Sequence, residues 1–317
     1  MLIDKYNRNF SYLRLSVTDL CNFNCSYCLP DNVKKNYLSL KEIYNLISCL
    51  SDLGVKKVRI TGGEPTIRND FLLIGKTISS FKNIKHLVFT TNGYKLSAIA
   101  KKAVESGFNG VNISLDTLNK IKFSTITGRN YLLKVLEGIY TSLNVGLKVK
   151  VNVVLSNFFS FDDFENFYSI IKYKNITIRF IEQMETTVLN KTNIFSSKFL
   201  FKFLKKNGWK KKETNFKLDG PAIVFSHADY LGQIGIINPY SSSFCSTCNR
   251  LRVSALGKLF LCLFGSKSYD IRSFLESLDK KDLLKSYLID KINEKFYSHN
   301  LNSKKFGIMK SFSSIGG

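Results

Sequence analysis

The sequence predicts an α/β protein: an open, partial (βα)6 barrel followed by a C-terminal extension that carries its own cysteine triplet. Three observations predict it. Short apolar strands alternate with amphipathic helices over the first two-thirds of the 317 residues. The chemically unusual segments fall at the C-terminal ends of those strands, where α/β barrels collect their working residues. From about Thr187 the alternation fades into a Lys- and Phe-rich helix and a Gly-containing, β-like stretch. Alternating β and α implies a parallel sheet with right-handed crossovers. Six such units suggest curl rather than a flat doubly wound sheet, although periodicity alone does not choose between them. The predicted division is residues 1–185 for the barrel core and 186–317 for the extension and tail.

The first predicted strand is Leu13–Thr18 (LRLSVT). The helix Ser39–Leu53 opens on a Ser39-x-x-Glu42 capping box and keeps Ile43, Leu46, Ile47, Leu50 and Leu53 at helical spacing. Gly54 is placed to end it. Val55–Thr61, His86–Thr90, Val111–Ser114, Lys148–Leu155 and Ile176–Glu182 are the next five strands. Helical patterns separate them at Phe71–Phe81, Ser97–Ser106, Tyr131–Leu143 and Phe161–Tyr173.

Composition narrows the function classes. At 44% hydrophobic and 22% charged the chain is a folder, not a disordered segment. No run of eighteen apolar residues occurs, so no spanning helix is expected. The start, MLIDKYNRNF, lacks an apolar signal core, which points to a cytoplasmic protein. The formal charge of +23 is spread along the chain, with one short run at Lys210–Lys212. It reads as general Lys enrichment, with neither a nucleic acid nor a membrane as partner. Against that background Arg is sparse. It occurs only at 8, 14, 59, 68, 129, 179, 250, 252 and 272, several of them beside the motifs below. A planar, permanently charged fork is needed at few places, and those places are informative.

Seven Cys occur, at 21, 25, 28, 49, 245, 248 and 262. An odd count without a secretory signal argues against a disulfide framework. Cys49 lies on a helical pattern and reads as a small buried apolar residue. The other six form two triplets, Cys21, Cys25 and Cys28 (C-x3-C-x2-C) and Cys245, Cys248 and Cys262 (C-x2-C-x13-C). Structural zinc wants four ligands, and no His lies close in sequence to either triplet, so two zinc sites are the weaker alternative. Three thiolates per site, twice, fit two iron–sulfur clusters that each leave one iron open.

On the strand map, the first triplet follows strand one, Thr61–Pro65 (TGGEP) follows strand two, and Thr90–Gly93 (TTNG) follows strand three. Ser114–Asp116 (SLD) ends strand four, Asn152 lies on strand five, and Arg179 through Met184 spans the end of strand six. An open iron can chelate the amino and carboxylate groups of S-adenosylmethionine. Gly62 and Gly63 would let backbone approach that methionine moiety, and the Glu64 carboxylate could meet its ammonium.

With RLSVTDLCNFNCSYC, RITGGEP, TTNG, SLD, RFIEQM, CSTCNRLR with its third Cys, and the terminal SIGG in this order, the chain resembles the radical S-adenosylmethionine superfamily. More narrowly it resembles the GTP 3′,8-cyclase (MoaA) family of molybdenum cofactor biosynthesis, from about Leu13 to Gly317. The resemblance implies a partial radical S-adenosylmethionine barrel, a second cluster in the extension, and two 4Fe-4S clusters with S-adenosylmethionine as cofactors. It implies reductive cleavage of S-adenosylmethionine to methionine and a 5′-deoxyadenosyl radical, removal of the ribose 3′ hydrogen of GTP, and closure onto guanine C8. The product is 3′,8-cyclo-7,8-dihydro-GTP, passed on to a MoaC-type cyclic pyranopterin monophosphate synthase. The reaction needs an electron donor, and a homodimer is compatible with the resemblance.

By matching position, the resemblance places Cys21, Cys25, Cys28, Cys245, Cys248 and Cys262 on the clusters. It places Tyr27, Gly63, Ser114 and Met184 on S-adenosylmethionine. Arg14, Arg59, Thr90, Lys150, Arg250, Leu251 and Arg252 fall on GTP, with Lys57 a further phosphate contact and Arg179 an ordering residue. Arg14, Arg250, Arg252 and the tail residues Gly316 and Gly317 are the catalytic set, the two glycines entering the cavity. The chain departs from the family pattern at Leu20, Lys310 and Phe312, where Arg, Arg and Met are common.

Overall fold

Leu13 and Leu15 alternate with Tyr12 and Arg14 along β1 (Tyr12–Ser16), which gives the strand one apolar and one polar face. In the computed structural model, which describes residues 1–28, 35–184, 195–213, 220–241, 243–265 and 267–299, that division organises the whole sheet. Strands β2 (Lys57–Thr61), β3 (His86–Thr91), β4 (Gly110–Ser114), β5 (Lys148–Leu155) and β6 (Thr177–Glu182) follow β1 in parallel register. Leu13, Leu15, Val58, Ile60, Phe89, Ile113, Val151 and Phe180 share one continuous core. Over that face pack α1 (Leu40–Asp52), α2 (Phe71–Ser79), α3 (Leu96–Glu105), α5 (Leu132–Asn144) and α6 (Phe161–Tyr173).

The helices start where local chemistry allows. The Ser39 hydroxyl accepts the Glu42 N–H at 3.2 Å, and Glu42 takes the Ser39 N–H at 2.7 Å. Such a cap is worth about 1 kcal/mol. Gly54 follows with φ +93°, the left-handed conformation that stops a helix cheaply. An additional short helix, α4 (Lys120–Thr127), was not anticipated because its apolar pattern is weak. Its punctuation was nonetheless present: Asn119 caps it and Gly128, at φ +66°, closes it.

The C-terminal extension joins the barrel instead of standing beside it. β9 (Gln233–Ile237) adds in parallel to β6, and β10 (Arg250–Val253) adds in parallel to β1. Antiparallel strands β8 (Ile223–Ser226) and β7 (Lys210–Lys211) finish one edge, β11 (Lys258–Phe260) and β12 (Tyr269–Asp270) the other. Between them α7 (Ser197–Lys206) packs on the β6–β9 side. A last helix, α8 (Lys281–Asn293), packs on α1, where Lys281 and Lys285 meet Asp52 at 2.8 and 2.9 Å. The predicted six-strand barrel is thus widened on both sides by strands that sequence periodicity left unassigned. No helix among the described residues is long and apolar enough to cross a membrane.

Candidate functional site

The first thiol triplet sits on the loop that leaves β1. Its backbone is stapled to the loop after β2: Gly63 N–H donates to Thr18 O and Glu64 N–H to Leu20 O, both at 2.8 Å. This approach requires glycine. A Cβ on Gly63 would lie 2.2 Å from Leu20 O, and one on Gly62 2.4 Å from Thr18 O. Both glycines therefore seat the cysteine loop itself. Glu64 is likewise committed to the scaffold. Its carboxylate accepts from Thr66 N (3.1 Å), Thr66 Oγ1 (2.6 Å), Thr91 Oγ1 (2.9 Å) and Asn92 N (2.6 Å), tying the end of β2 to the end of β3. With three donors on Oε1 and one on Oε2 it braces the scaffold, and Oε2 keeps room for a further donor.

A small cavity of about 30 Å³ brings Cys25, Tyr27 and Ser114 together, as the motif positions led one to expect. It adds Asn92 and Asp116, which the TTNG and SLD motifs contained but to which the sequence assigned no role. Tyr27 donates to Asp116 Oδ2 at 2.6 Å while Asp116 Oδ1 takes the Val154 N–H at 2.8 Å, so the cysteine loop is also tied to β4 and β5. The Cys21 sulfur is approached by the Phe23 N–H at 3.4 Å and Asn92 Nδ2 at 3.9 Å. Burial, then Cys28, Asp116 and Cys21, push the Cys25 thiol far up. Three such thiols ionise together only when cations compensate them, which is what iron supplies.

The polar face of the sheet carries the Arg residues. Register places Arg252 beside Arg14 and Arg14 beside Arg59, one guanidinium from each of three adjacent strands. One layer below, Arg250 pairs with Tyr12 and Tyr12 with Lys57. Across the barrel, Thr90 aligns with Asn112 and Asn112 with Lys150, while Ser114 aligns with Asn152 and Asn152 with Arg179. Arg179 donates to Asn112 Oδ1. Gly235 makes room for it, since a Cβ there would lie 2.8 Å from Arg179 Cγ. Burial, and then Arg14 and Arg250 against a favourable Tyr12, bring Arg59 down to about 10. Burial with Arg59 and Arg14 brings Arg179 to about 9. Nε of Arg59, Nε of Arg179 and Oδ1 of Asn152 are buried without a hydrogen-bond partner among the described residues. Buried, mutually repelling guanidiniums with spare donors fit a polyanion.

The second triplet lines a cavity of about 230 Å³ together with Arg250, Arg252 and Lys295. That is room for many atoms, since a single water needs only about 10–15 Å³ on this measure. Burial opposes ionisation of Cys248, but Arg250 and Lys295 outweigh it and bring the thiol to about 6. Cys245 is pushed up by burial and by its partners Cys262 and Cys248. Among the described residues no three His, Cys, Asp or Glu side chains converge as ligands of one metal ion. The donor set fits a wider group held by three thiolates. Met184 packs against the Leu263–Phe264 pair, as Cys262 does. Leu251 is 1% exposed on the apolar face of β10 and belongs to the core. Gly316 and Gly317, like Lys310 and Phe312, lie outside the described residues.

Two family models match the chain, Radical SAM superfamily over residues 15–171 and Molybdenum Cofactor Synthesis C over 176–301. It is 43% identical to a protein of Psychromonas ingrahamii named GTP 3′,8-cyclase, covering 100% of this chain and 95% of that one. The same name and identity hold for a relative from Mannheimia succiniciproducens, with 100% and 96% covered. Among solved structures, Streptococcus suis SuiB bound to S-adenosylmethionine superposes with a TM-score of 0.67 at 16% identity, over 99% of this chain and 78% of that one. At that identity the likeness bears on fold alone.

Proposed function

The chain belongs to the GTP 3′,8-cyclase family of radical S-adenosylmethionine enzymes, and from that premise we propose how its residues divide the work. It is a radical S-adenosylmethionine enzyme that cyclises GTP to 3′,8-cyclo-7,8-dihydro-GTP in the first step of molybdenum cofactor biosynthesis, using two 4Fe-4S clusters. The first cluster and S-adenosylmethionine, when bound, supply the radical chemistry. Cys21, Cys25 and Cys28 would hold that cluster, and Tyr27, Gly63, Ser114 and Met184 would contact S-adenosylmethionine. Cys245, Cys248 and Cys262 would hold the second cluster, whose chemistry there would be to bind the guanine base.

The observation that carries the substrate assignment is the guanidinium row Arg252–Arg14–Arg59, backed by Arg250, Lys57 and Arg179. A triphosphate is the anion that this many buried forks can share, and each bidentate contact also fixes orientation. Thr90 and Lys150 complete the assigned contacts, whereas the Leu251 side chain, expected on GTP, lies in the core. Leu251 acts by setting the alternation that turns Arg250 and Arg252 to the polar face. Gly316 and Gly317 are assigned to the same cavity. Residues 1–185 form the barrel core and 186–317 the region that carries the second triplet. A MoaC-type cyclic pyranopterin monophosphate synthase would take the product, and an external one-electron donor would reduce the clusters. Seven free thiols suit the reducing cytoplasm.

Anaerobic incubation with GTP, S-adenosylmethionine and a reductant, followed by product identification, tests this reading. Cyclised GTP with 5′-deoxyadenosine and methionine is expected, and its absence from a fully iron-loaded enzyme sinks the reading.

The cage also predicts a pH dependence. Tyr12 lies beneath Lys57, 5.0 Å from its ring centroid, and Arg59, at 5.6 Å. Burial raises its phenol, but Arg59, Arg14 and Lys57 overcome that and bring it to about 7. Above that pH the empty cavity holds a phenolate paired with the cations that the triphosphate needs. Binding must then return a proton to Tyr12. GTP affinity should fall as pH rises beyond 7, by at most about tenfold per unit for one proton. Titration calorimetry at pH 6.5 to 8.5 should show this fall flattened in Tyr12→Phe. An identical pH profile in the variant would remove Tyr12 from the linkage.

A further inference from the structure

We propose that Arg8 and Lys295 are positioning residues for the second thiol triplet, two buried cations that fix the backbone on either side of it and set the electrochemical surroundings of the group it holds. The inference rests on the reading of Cys245, Cys248 and Cys262 as cluster ligands.

Arg8 is 6% exposed, and each of its guanidinium nitrogens is engaged. Nε donates to Asp4 Oδ2 at 2.7 Å, and Nη2 stands 2.7 Å from the same oxygen. Nη2 also donates to Phe296 O at 2.8 Å, and Nη1 to Tyr297 O at 2.8 Å and to Cys245 O at 3.1 Å. One planar fork thus joins the N-terminal turn, a cluster-ligand residue and the segment after α8. The turn is built to aim it: Asp4 Oδ1 accepts the Tyr6 and Arg8 N–H groups at 3.0 and 2.9 Å, and Asn7 takes φ +61°. A Lys could replace the charge but not the five-donor geometry.

Lys295 approaches from the other side. It is 4% exposed and donates to the carbonyl of Leu261, the residue before Cys262. Its ammonium lies 5.5 Å from the Phe10 ring centroid, on the cavity wall that the three thiols share. Arg8 therefore holds the Cys245 half of the triplet and Lys295 the Cys262 half, each through a backbone carbonyl. Lys295, and an Arg8 whose charge Asp4 partly offsets, put positive charge around the three thiolates and favour the reduced, more negative form of a bound cluster, because net charge and hydrogen bonding set cluster potentials. Arg250 adds a third charge, but from the strand that also faces the substrate.

The test uses the full chain with Cys21, Cys25 and Cys28 all changed to Ala, which leaves the second triplet as the site for iron. Into it go Arg8→Gln, Arg8→Lys, Lys295→Gln and Lys295→Arg, each reconstituted anaerobically. The readouts are the reduction potential followed by electron paramagnetic resonance and the rate of iron loss to a chelator. Both Gln variants should shift the potential to more negative values and lose iron roughly 10- to 100-fold faster, the usual cost of removing an outer partner of a metal site. Arg8→Lys should keep the potential near that of the parent yet lose iron faster, whereas Lys295→Arg should preserve both. Wild-type potential and iron retention in the Gln variants would overturn the proposal. If Arg8→Gln does not fold, Lys295→Gln decides alone, since it leaves the N-terminal turn intact. A parent chain that takes up no iron at all would instead refute the cluster reading on which this rests.

Discussion

Changing Cys21, Cys25 or Cys28 to Ala should reduce 5′-deoxyadenosine release to background. The three thiols share one loop, stapled to Gly63 and Glu64, and electrostatics shows Cys25 sensing both of its partners. Ala at any of them removes a ligand from the only site assigned to deliver an electron to S-adenosylmethionine. Among the described residues, the nearby carboxylates are already engaged, Glu64 by Thr66, Thr91 and Asn92, and Asp116 by Tyr27 and Val154. The second triplet should behave differently. Cys245→Ala, Cys248→Ala or Cys262→Ala should abolish cyclised GTP while the first cluster still cleaves some S-adenosylmethionine without product. The two sites lie on different loops, one leaving β1 and the other before and after β10, so losing one leaves the other's scaffold in place. Quantifying 5′-deoxyadenosine, cyclised product and iron in the same anaerobic samples separates these outcomes. Unchanged cleavage in a first-triplet variant, or normal product in a second-triplet variant, contradicts the corresponding assignment.

Much of this architecture was legible because the strands are buried on one face and bounded by clear punctuation. Lys148–Leu155 and Phe161–Tyr173 fall where their patterns put them, since alternation and helical spacing there are unbroken. The strands that widen the barrel were legible only as a β-like stretch, without bounds or partners. Gln233–Ile237 and Arg250–Val253 are short, and their partners β6 and β1 lie far away in sequence, so only tertiary pairing makes them strands. The site divides the same way. Cysteine spacing announced both triplets, and Arg stood out against a Lys-rich background. Asn112 and Tyr12 could not be singled out, because a lone Asn or Tyr on a strand acquires meaning only from what register sets beside it, and Asn92 and Asp116 stood in the TTNG and SLD motifs without a role until their partners were known. Glu64 shows the converse: a motif residue whose neighbours, invisible in sequence, turn its carboxylate into a brace between β2 and β3. Arg8 and Lys295 were hidden for the same reason, since their partners are backbone carbonyls far away in the chain.

Substituting Arg252 or Arg250 by Ala should weaken GTP binding or productive positioning without weakening the fold, and the combination is diagnostic. Both side chains lie on the polar face of β10, two residues apart, and both are almost fully buried. A charge-assisted hydrogen bond in such a setting is worth about 1.5–3 kcal/mol, which corresponds to roughly 10- to 100-fold in affinity. Arg→Lys should recover only part of that, because the point charge survives and the bidentate fork does not. Stability should move the other way for Arg252. Burial, Arg14 and Arg250 all disfavour its charge, and they hold it well below the usual guanidinium range. Removing a buried cation that its neighbours repel relieves the folded state, so Arg252→Ala should melt at the wild-type temperature or above it. Arg250 differs in degree. Cys262 and Cys248 support the Arg252 charge without offsetting its burial, whereas at Arg250 the Cys248 thiolate and its hydrogen bond outweigh burial, so Arg250→Ala should also raise the Cys248 thiol and slow cluster assembly. A structural ion pair gives the opposite signature, with loss of stability and little change in binding. Measuring GTP affinity, cyclisation, iron content and thermal midpoint for both Ala variants and both Lys variants distinguishes the two. Wild-type affinity together with a lowered midpoint would place these arginines in the scaffold and take them out of the substrate site.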